Sequence, residues 1–348
     1  MPKVDSQKLY MFCNEVFIEA GIPKEHGHIM AHALVEADLM GVTTHGASRT
    51  NIYLEHMENG TINPEPKIEV VSDFASISVI DADRAMGPVA ADYAMKKACV
   101  SAAKTGVGVV CVRNSTHMGA LSVTAKKACD NKMIGLVISN TSPIMAAWGG
   151  AEPVLGNNPI SIAVPTGEGS PYVLDIALSL VARGNIILAA REGREIPENW
   201  AVDNDGRPTT NAQEALLGAV LPLAQHKGYA LAFMFDVLSA VLSGAAYGKN
   251  VGSFVPPDYS KPLNFGHFIL ALDINKILKY DDFLMRLKDY VKQLKTCKKA
   301  QGFQEILVPG EIESKKYEEN LVYGVNLSDT TVEILRKLGE KYKIDTTL

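Results

Sequence analysis

The chain of 348 residues predicts an α/β fold of the α+β kind, with a helical unit ahead of a strand-rich one. Three observations lead there. Residues 5–59 carry three runs of apolar residues at helical spacing, each bounded by a capping residue or a glycine. From residue 67 the pattern turns to short alternating or fully apolar runs interleaved with helices. No G-x-G-x-x-G opens a helix after a strand, so the usual Rossmann dinucleotide fingerprint is missing.

Leu9, Phe12, Val16 and Phe17 recur at helical spacing over 5–21, with Asp5 or Ser6 as cap and Gly21 as stop. Pro23 opens a second helix to about Met40, and Gly41 breaks it. A third begins near Thr43 or Thr44 as N-cap, carries His45, Arg49 and Tyr53, and stops at Asn59-Gly60. Asn63-Pro64-Glu65-Pro66 reads as an extended linker. Strands are expected at 67–72, 76–81, 106–112, 133–139, 159–164, 172–177 and 267–273, with a short one at Gly302–Pro309. Helices are expected at 87–104, 120–131, 178–192, 229–244, 281–299 and 328–342, the last capped by Ser328. The run Asn204-Asp205-Gly206-Arg207-Pro208 is a turn-rich excursion. Loops that follow strands are where α/β proteins place chemistry, which draws notice to His117, Thr141 and Asp175.

The apolar fraction of 47% suits a globular chain long enough for two or three packed units. A net charge of −5 with no basic arm argues against a nucleic-acid partner. Lys298-Lys299 and Lys315-Lys316 read as solvated helix faces. Five cysteines at 13, 99, 111, 129 and 297 contain no C-x-x-C, which argues against a disulfide framework or structural zinc and for the cytoplasm. The start, Met1-Pro2-Lys3-Val4-Asp5-Ser6, has no apolar signal core. Tyr229–Tyr247 is long and apolar, but Asp236 at mid-depth would cost roughly 2.5–3.5 kcal/mol in a bilayer. A buried helix, with a partner for Asp236, is the better expectation, so no membrane association is expected.

Thr44-His45-Gly46-Ala47-Ser48-Arg49 and Tyr53 carry the chemistry that stands out. On one helix, His45, Arg49 and Tyr53 at i, i+4 and i+8 share a face. An imidazole, titrating near pH ~6.5, can give or take a proton. A guanidinium grips a carboxylate through two parallel hydrogen bonds. Together they suit a small carboxylate substrate with a neighbouring carbonyl or hydroxyl. An ordinary amphipathic helix with a surface His and Arg fits the same spacing. There is no P-loop, no G-x-S-x-G and no H-E-x-x-H. His28 and His32 form an i, i+4 pair but lack a further ligand, so with His26 they read as surface and no metal is expected. His56 and His226 receive no role.

The chain also resembles a known family. Thr44-His45-Gly46-x-x-Arg49 and Gly60-x-Ile62-Asn63-Pro64 look like the start of the malate/L-lactate dehydrogenase-like oxidoreductases, the group that includes ureidoglycolate and sulfolactate dehydrogenases and diketogulonate reductase. The match runs on through His117-Met118-Gly119-Ala120, Asn140-Thr141-Ser142-Pro143, Trp148-Gly149-Gly150, Gly156-Asn157-Asn158-Pro159 and Asp175-Ile176-Ala177. Lys227-Gly228-Tyr229, Gly266-His267-Phe268 and Pro309-Gly310-Glu311 extend it over nearly the whole chain.

That resemblance implies a non-Rossmann NAD-binding fold with a mixed, largely antiparallel central sheet. It implies a helical unit built from both chain ends, dividing the chain into 1–66, 67–311 and a segment 312–348 that packs back. It implies a homodimer using NAD, or alternatively NADP, to interconvert a small 2-hydroxy acid and its 2-oxo acid. His117 matches the acid/base histidine and His45 the other active-site histidine; which gives the proton stays open. Arg49 matches the carboxylate holder, with Thr44 and Tyr53 beside it. Thr141, Asp175, Ile176, Ala177, Lys227, Gly310 and Glu311 match dinucleotide contacts. Relatives usually carry Lys where this chain has Asn185, and ureidoglycolate enzymes an acid at Ser142. Reduction of cyclic imino acids or diketo sugar acids, or NAD-independent lyase or hydrolase chemistry, are the alternatives.

Overall fold

The computed structural model describes residues 3–346; Met1, Pro2, Thr347 and Leu348, the ends of the expected 1–66 and 312–348 segments, lie outside it. The N-terminal helices are α1 (Ser6–Glu19), α2 (Lys24–Leu39) and α3 (Thr50–Glu58). Asp5 caps α1, its side chain accepting the Lys8 N–H at 2.9 Å. They bury Phe12, Phe17, Leu34 and Tyr53 in one core that also takes in Val325, Leu335 and Leu338 from near the C-terminus. Both chain ends meet again where β1 (Lys3–Val4) pairs antiparallel with β13 (Val325–Asn326).

The central sheet has seven strands: β2 (Glu69–Phe74), β3 (Ile77–Asp81), β4 (Val107–Ser115), β5 (Met133–Ser139), β8 (Ile160–Val164), β9 (Tyr172–Ile176) and β12 (Phe265–Asp273). Their order is β2-β3-β4-β12-β5-β8-β9, and only β3–β4 is parallel. The sheet is thus mixed and largely antiparallel. Because β12 runs against both β4 and β5, those two strands end side by side, with Phe265 opposite Ser115 and His267 opposite Ser139. Two further reversals bring the end of β9 to the same edge. His117, Thr141 and Asp175 therefore leave or end their strands at one edge of the sheet. Helices α4 (Gly87–Thr105) and α5 (Leu121–Lys126) pack on it through an alanine-rich core.

A second sheet, β10-β11-β6-β7, joins strands of two or three residues: β6 (Met145–Ala146), β7 (Pro153–Leu155), β10 (Ala201–Val202) and β11 (Ala219–Val220). Around it lie α6 (Arg183–Arg191), α7 (Ala212–Leu217) and α8 (His226–Asp236). Helices α9 (Tyr280–Thr296), α10 (Glu311–Tyr323) and α11 (Asp329–Tyr342) follow, and Ser328 caps α11.

Several expectations need correction. Residues 302–309 are not a strand: Pro309 meets β9 through one bond, from Val173 N–H to its carbonyl at 3.2 Å, and a proline has no N–H to continue the ladder. The helix expected at 178–192 begins only at Arg183, because Leu180 N–H and Leu178 carbonyl are bonded to the Leu221–Leu223 strand-like segment. The helix at 120–131 stops at Lys126 and is followed by a 3-10 turn. The apolar helix stops at Asp236 and continues as a π turn, Val237–Val241. Among the described residues no helix is long and apolar enough to cross a membrane. Asp236 is buried, with the Gly248 N–H at 3.3 Å and the Asn140 side chain as partners.

The start of α4 presses directly on the segment that carries His117. A Cβ at Gly87 would lie 2.2 Å from the His117 carbonyl oxygen, closer than any side chain can sit. Gly87→Ala must push backbone apart, so overpacking is expected to cost about 1–3 kcal/mol or more. Denaturant titration checks this; an unchanged midpoint would show that the contact is loose.

Candidate active site

A single long cavity of about 1080 Å³ runs along the sheet edge. Thr44, His45, Arg49, His117, Thr141, Asp175, Ile176, Ala177 and Gly310 all line it. Tyr53 stands behind His117. Lys227 and Glu311, matched to dinucleotide contacts, do not line it. Lys227 is exposed on the first turn of α8. Glu311 is spent on Lys295 and on the Val308 N–H at 2.8 Å. Asn185 is also off the cavity wall, whereas its neighbours Arg183 and Gly184 line it. His32 reaches the cavity's far rim, near the Lys126–Glu36 pair.

The stretch 43–49 is not the start of one helix. Thr43–His45 and Ala47–Arg49 are short 3-10 turns separated by Gly46 in extended backbone. The cause is Asp38, near the end of α2. Its carboxylate accepts the Ala47 N–H at 2.7 Å, taking the donor a helix would use. A Cβ at Gly46 would fall 1.8 Å from Asp38 Oδ1. Arg49 Nε donates to the Thr44 carbonyl at 2.6 Å and Ser48 Oγ to that of Thr43 at 3.0 Å, so side chains occupy the remaining acceptors. Thr44 is not an N-cap; its hydroxyl meets His45 Nδ1 at 3.0 Å. The fold still brings His45 and Arg49 to one wall, through the turns rather than a helical face.

His117 follows β4. Thr116 Oγ1, just before it, accepts the Gly87 N–H at 2.9 Å and donates to the Ala85 carbonyl at 3.0 Å. The Tyr53 hydroxyl lies 2.8 Å from His117 Nδ1 and 2.9 Å from its carbonyl oxygen. The Gly119 N–H also approaches Nδ1, at 3.3 Å, so protein groups occupy that nitrogen. The His117 ring stacks with His45 at 5.4 Å and with Phe254 at 4.6 Å.

Electrostatics hold both imidazoles neutral. Burial, then the Arg49 charge, pulls His45 down to about 4. Burial pulls His117 well below its ordinary value, helped by His45 and Arg49. Arg49 has no ion-pair partner among the described residues. The guanidinium is half-buried and lines the cavity. Among the described residues no group of three or more His, Cys, Asp or Glu is placed to hold a metal ion.

Sequence reasoning passed over Phe254 and His56, which are buried beside this group. Neither belongs to a motif or a periodic run. The only available signal was the histidine itself, on the helix that carries Tyr53.

The fold and this constellation define a non-Rossmann oxidoreductase class, and comparison with known proteins agrees. Residues 4–336 match the malate/L-lactate dehydrogenase family model. The malate/(S)-sulfolactate dehydrogenase of Methanothermus fervidus is 37% identical over 94% of each chain. The sulfolactate dehydrogenase structure from Methanocaldococcus jannaschii superposes with a TM-score of 0.91 at 34% identity, covering 99% of this chain and 98% of that one. The malate dehydrogenase structure from Entamoeba histolytica gives 0.94 at 27% identity, covering 100% and 99%. The chain belongs to the malate/L-lactate dehydrogenase family.

Asp38 supplies a test of how the 43–49 turn is held. Burial raises its carboxyl to about 7, against about 3.9 in an unfolded chain. The folded state then binds the extra proton between those values, so this group's stabilising contribution is full below pH ~4 and lost as pH rises through 7. Asp38→Asn should therefore gain stability relative to the parent as pH rises from 5 to 8. Paired melts at both pH values check this; a difference independent of pH would contradict it.

Proposed function

We propose that the chain interconverts a small 2-hydroxy acid and its 2-oxo acid, with Arg49 holding the carboxylate and the His45–His117 pair carrying the proton. As a member of its family it is an NAD(P)-dependent 2-hydroxy acid dehydrogenase. One observation carries the assignment of roles: an unpaired guanidinium and two stacked neutral imidazoles share one cavity wall.

The cavity fits a dinucleotide as well as an acid. Its volume reaches the top of the ~300–1,000 Å³ range of ordinary ligand sites, and its length runs from His45 to Gly310 and Ser314. Thr141, Ile176, Ala177 and Gly310 are the residues that would hold the cofactor, with Asp175 kept in place by the Ser122 N–H at 2.8 Å. The hydride chemistry is supplied by the bound dinucleotide. Relatives are named for both forms, an NAD(+) ureidoglycolate dehydrogenase in Escherichia coli and an NADP(+) sulfolactate dehydrogenase in Chromohalobacter salexigens.

Arg49 orients the substrate by forking onto its carboxylate, which places the neighbouring carbon against the His pair. The incoming negative charge offsets the guanidinium, one cause of the depressed imidazoles. One ring can then take up a proton and give it to the carbonyl oxygen during reduction. In the reverse direction the neutral ring takes the hydroxyl proton. Tyr53, bonded to Nδ1 of His117, keeps Nε2 as the exchanging nitrogen.

A structure of a Pseudomonas syringae reductase of a cyclic imino acid, with a TM-score of 0.86 at 26% identity, keeps imine reduction as the second reading. A panel of 2-oxo acids and cyclic imino acids, followed by NADH and NADPH oxidation, separates the two.

A homodimer is proposed as the working assembly. Leu231, Phe233 and Met234 on α8, with Val241 and Leu242 beyond it, are exposed apolar side chains that a second copy would cover. Light scattering of the purified chain tests it, and a monomer mass would remove it. All five cysteines are free, which supports a cytoplasmic setting.

His117→Ala is expected to lose about 10²–10⁴ in turnover with dinucleotide binding retained. Wild-type turnover would remove its role. Arg49→Lys should raise KM for the acid, because a point charge cannot replace a planar fork. For hydroxy-acid oxidation kcat/KM needs the neutral base in the free protein. Because the imidazoles are depressed, the profile should stay flat through pH 6.5 and fall only well below it; an acid limb at 6.5 or higher would contradict this.

A further inference from the structure

Phe254 is the ring that lies flattest on His117, 3° from coplanar with centroids 4.6 Å apart. It lines the cavity, yet only 3% of its surface is exposed. Its backbone is fastened at both ends. The Phe254 N–H donates to Ser142 Oγ at 3.1 Å, and Ser142 Oγ in turn donates to the Gly252 carbonyl at 2.8 Å. The Phe254 carbonyl lies 3.1 Å from His56 Nε2, which must carry the proton to bond it. The other nitrogen of His56 then accepts the Thr61 hydroxyl proton at 2.7 Å. His56 itself stacks on the Phe254 ring, and Tyr53 tilts against it at 5.0 Å.

This latch also explains Ser142. Its one proton goes to Gly252 and its oxygen receives Phe254, so it serves the loop rather than offering a donor to substrate.

We propose that Phe254 is a positioning residue for His117: latched by Ser142 and His56, its ring sets the plane of the imidazole and keeps water off it. The kinetic consequence rests on His117 being the proton carrier; the effect on the ring does not. The groups facing His117 are His45 and Arg49 from the 43–49 turn, Tyr53 and His56 from α3, and His267 from β12. None is a carboxylate, so dryness works in one direction only, toward the neutral ring.

The test uses the full chain labelled with carbon-13 and nitrogen-15 histidine, and follows His117 through a pH titration alongside kcat and KM for a 2-oxo acid. In Phe254→Ala, water reaches the ring and His117 should titrate at higher pH than in the parent. Turnover should fall about 10-fold or more, as misplacement of a reacting group does, with KM changed less. Phe254→Leu should restore much of the titration, because it is apolar, but not the turnover, because it cannot stack flat. If Phe254→Ala does not fold, Ser142→Ala, which frees both latch bonds, should move the titration the same way by less. An unchanged His117 titration in folded Phe254→Ala or Ser142→Ala would overturn the proposal. A moved titration with unchanged turnover would uphold it and remove the proton-carrier reading instead.

Discussion

An unpaired guanidinium beside two stacked imidazoles is the constraint on which the rest of the structure turns. Three basic groups packed together in a half-closed cavity lose hydration and, to a lesser extent, repel one another. The two rings respond by giving up their protons, while Arg49 keeps its charge. Such a group is poised for an anion. On the proposed mechanism a bound carboxylate offsets the Arg49 charge, one of the causes that depress the two rings. That proposal makes binding and acid catalysis one electrostatic event.

The scaffold spends its precision on holding that group. The central sheet ends β4, β5 and β9 at one edge, and the buried His267 ties Ser115 to Ser139 there at 2.8 and 2.9 Å. Burial keeps His267 neutral by pulling it down to about 4, so it bonds both serines without bringing another charge to the edge. From the other side Asp38 holds the 43–49 turn by a single backbone N–H, and Asn320 on α10 binds the Asp38 and Leu39 carbonyls. The C-terminal helices thus reach the site through the end of α2.

Much of this was legible in the sequence, for identifiable reasons. Met133–Ser139 was readable residue for residue because its apolar run, Met133 to Ile138, is bounded by polar residues on both sides. The first helix and the Ser328 cap were readable because capping is local chemistry. His45, Arg49 and His117 stand out because their residue types are informative even when their backbone is not, and the fold places all three on one cavity. The 43–49 turn was misread as a helix because the carboxylate that diverts its Ala47 N–H sits on another element. The strands of the small sheet, two or three residues each, are too short to show a period. Phe254 and Ser142 act through backbone hydrogen bonds between segments about 110 residues apart, which no local pattern encodes.

The most direct measurement is the proton count on binding oxamate, a non-reducible mimic of a 2-oxo acid, to the protein loaded with reduced dinucleotide. Calorimetry at pH 7 in buffers of different ionisation enthalpy reads it. Neutral imidazoles that charge when Arg49 is paired predict uptake of about one proton per site. Binding with no proton uptake would contradict the account.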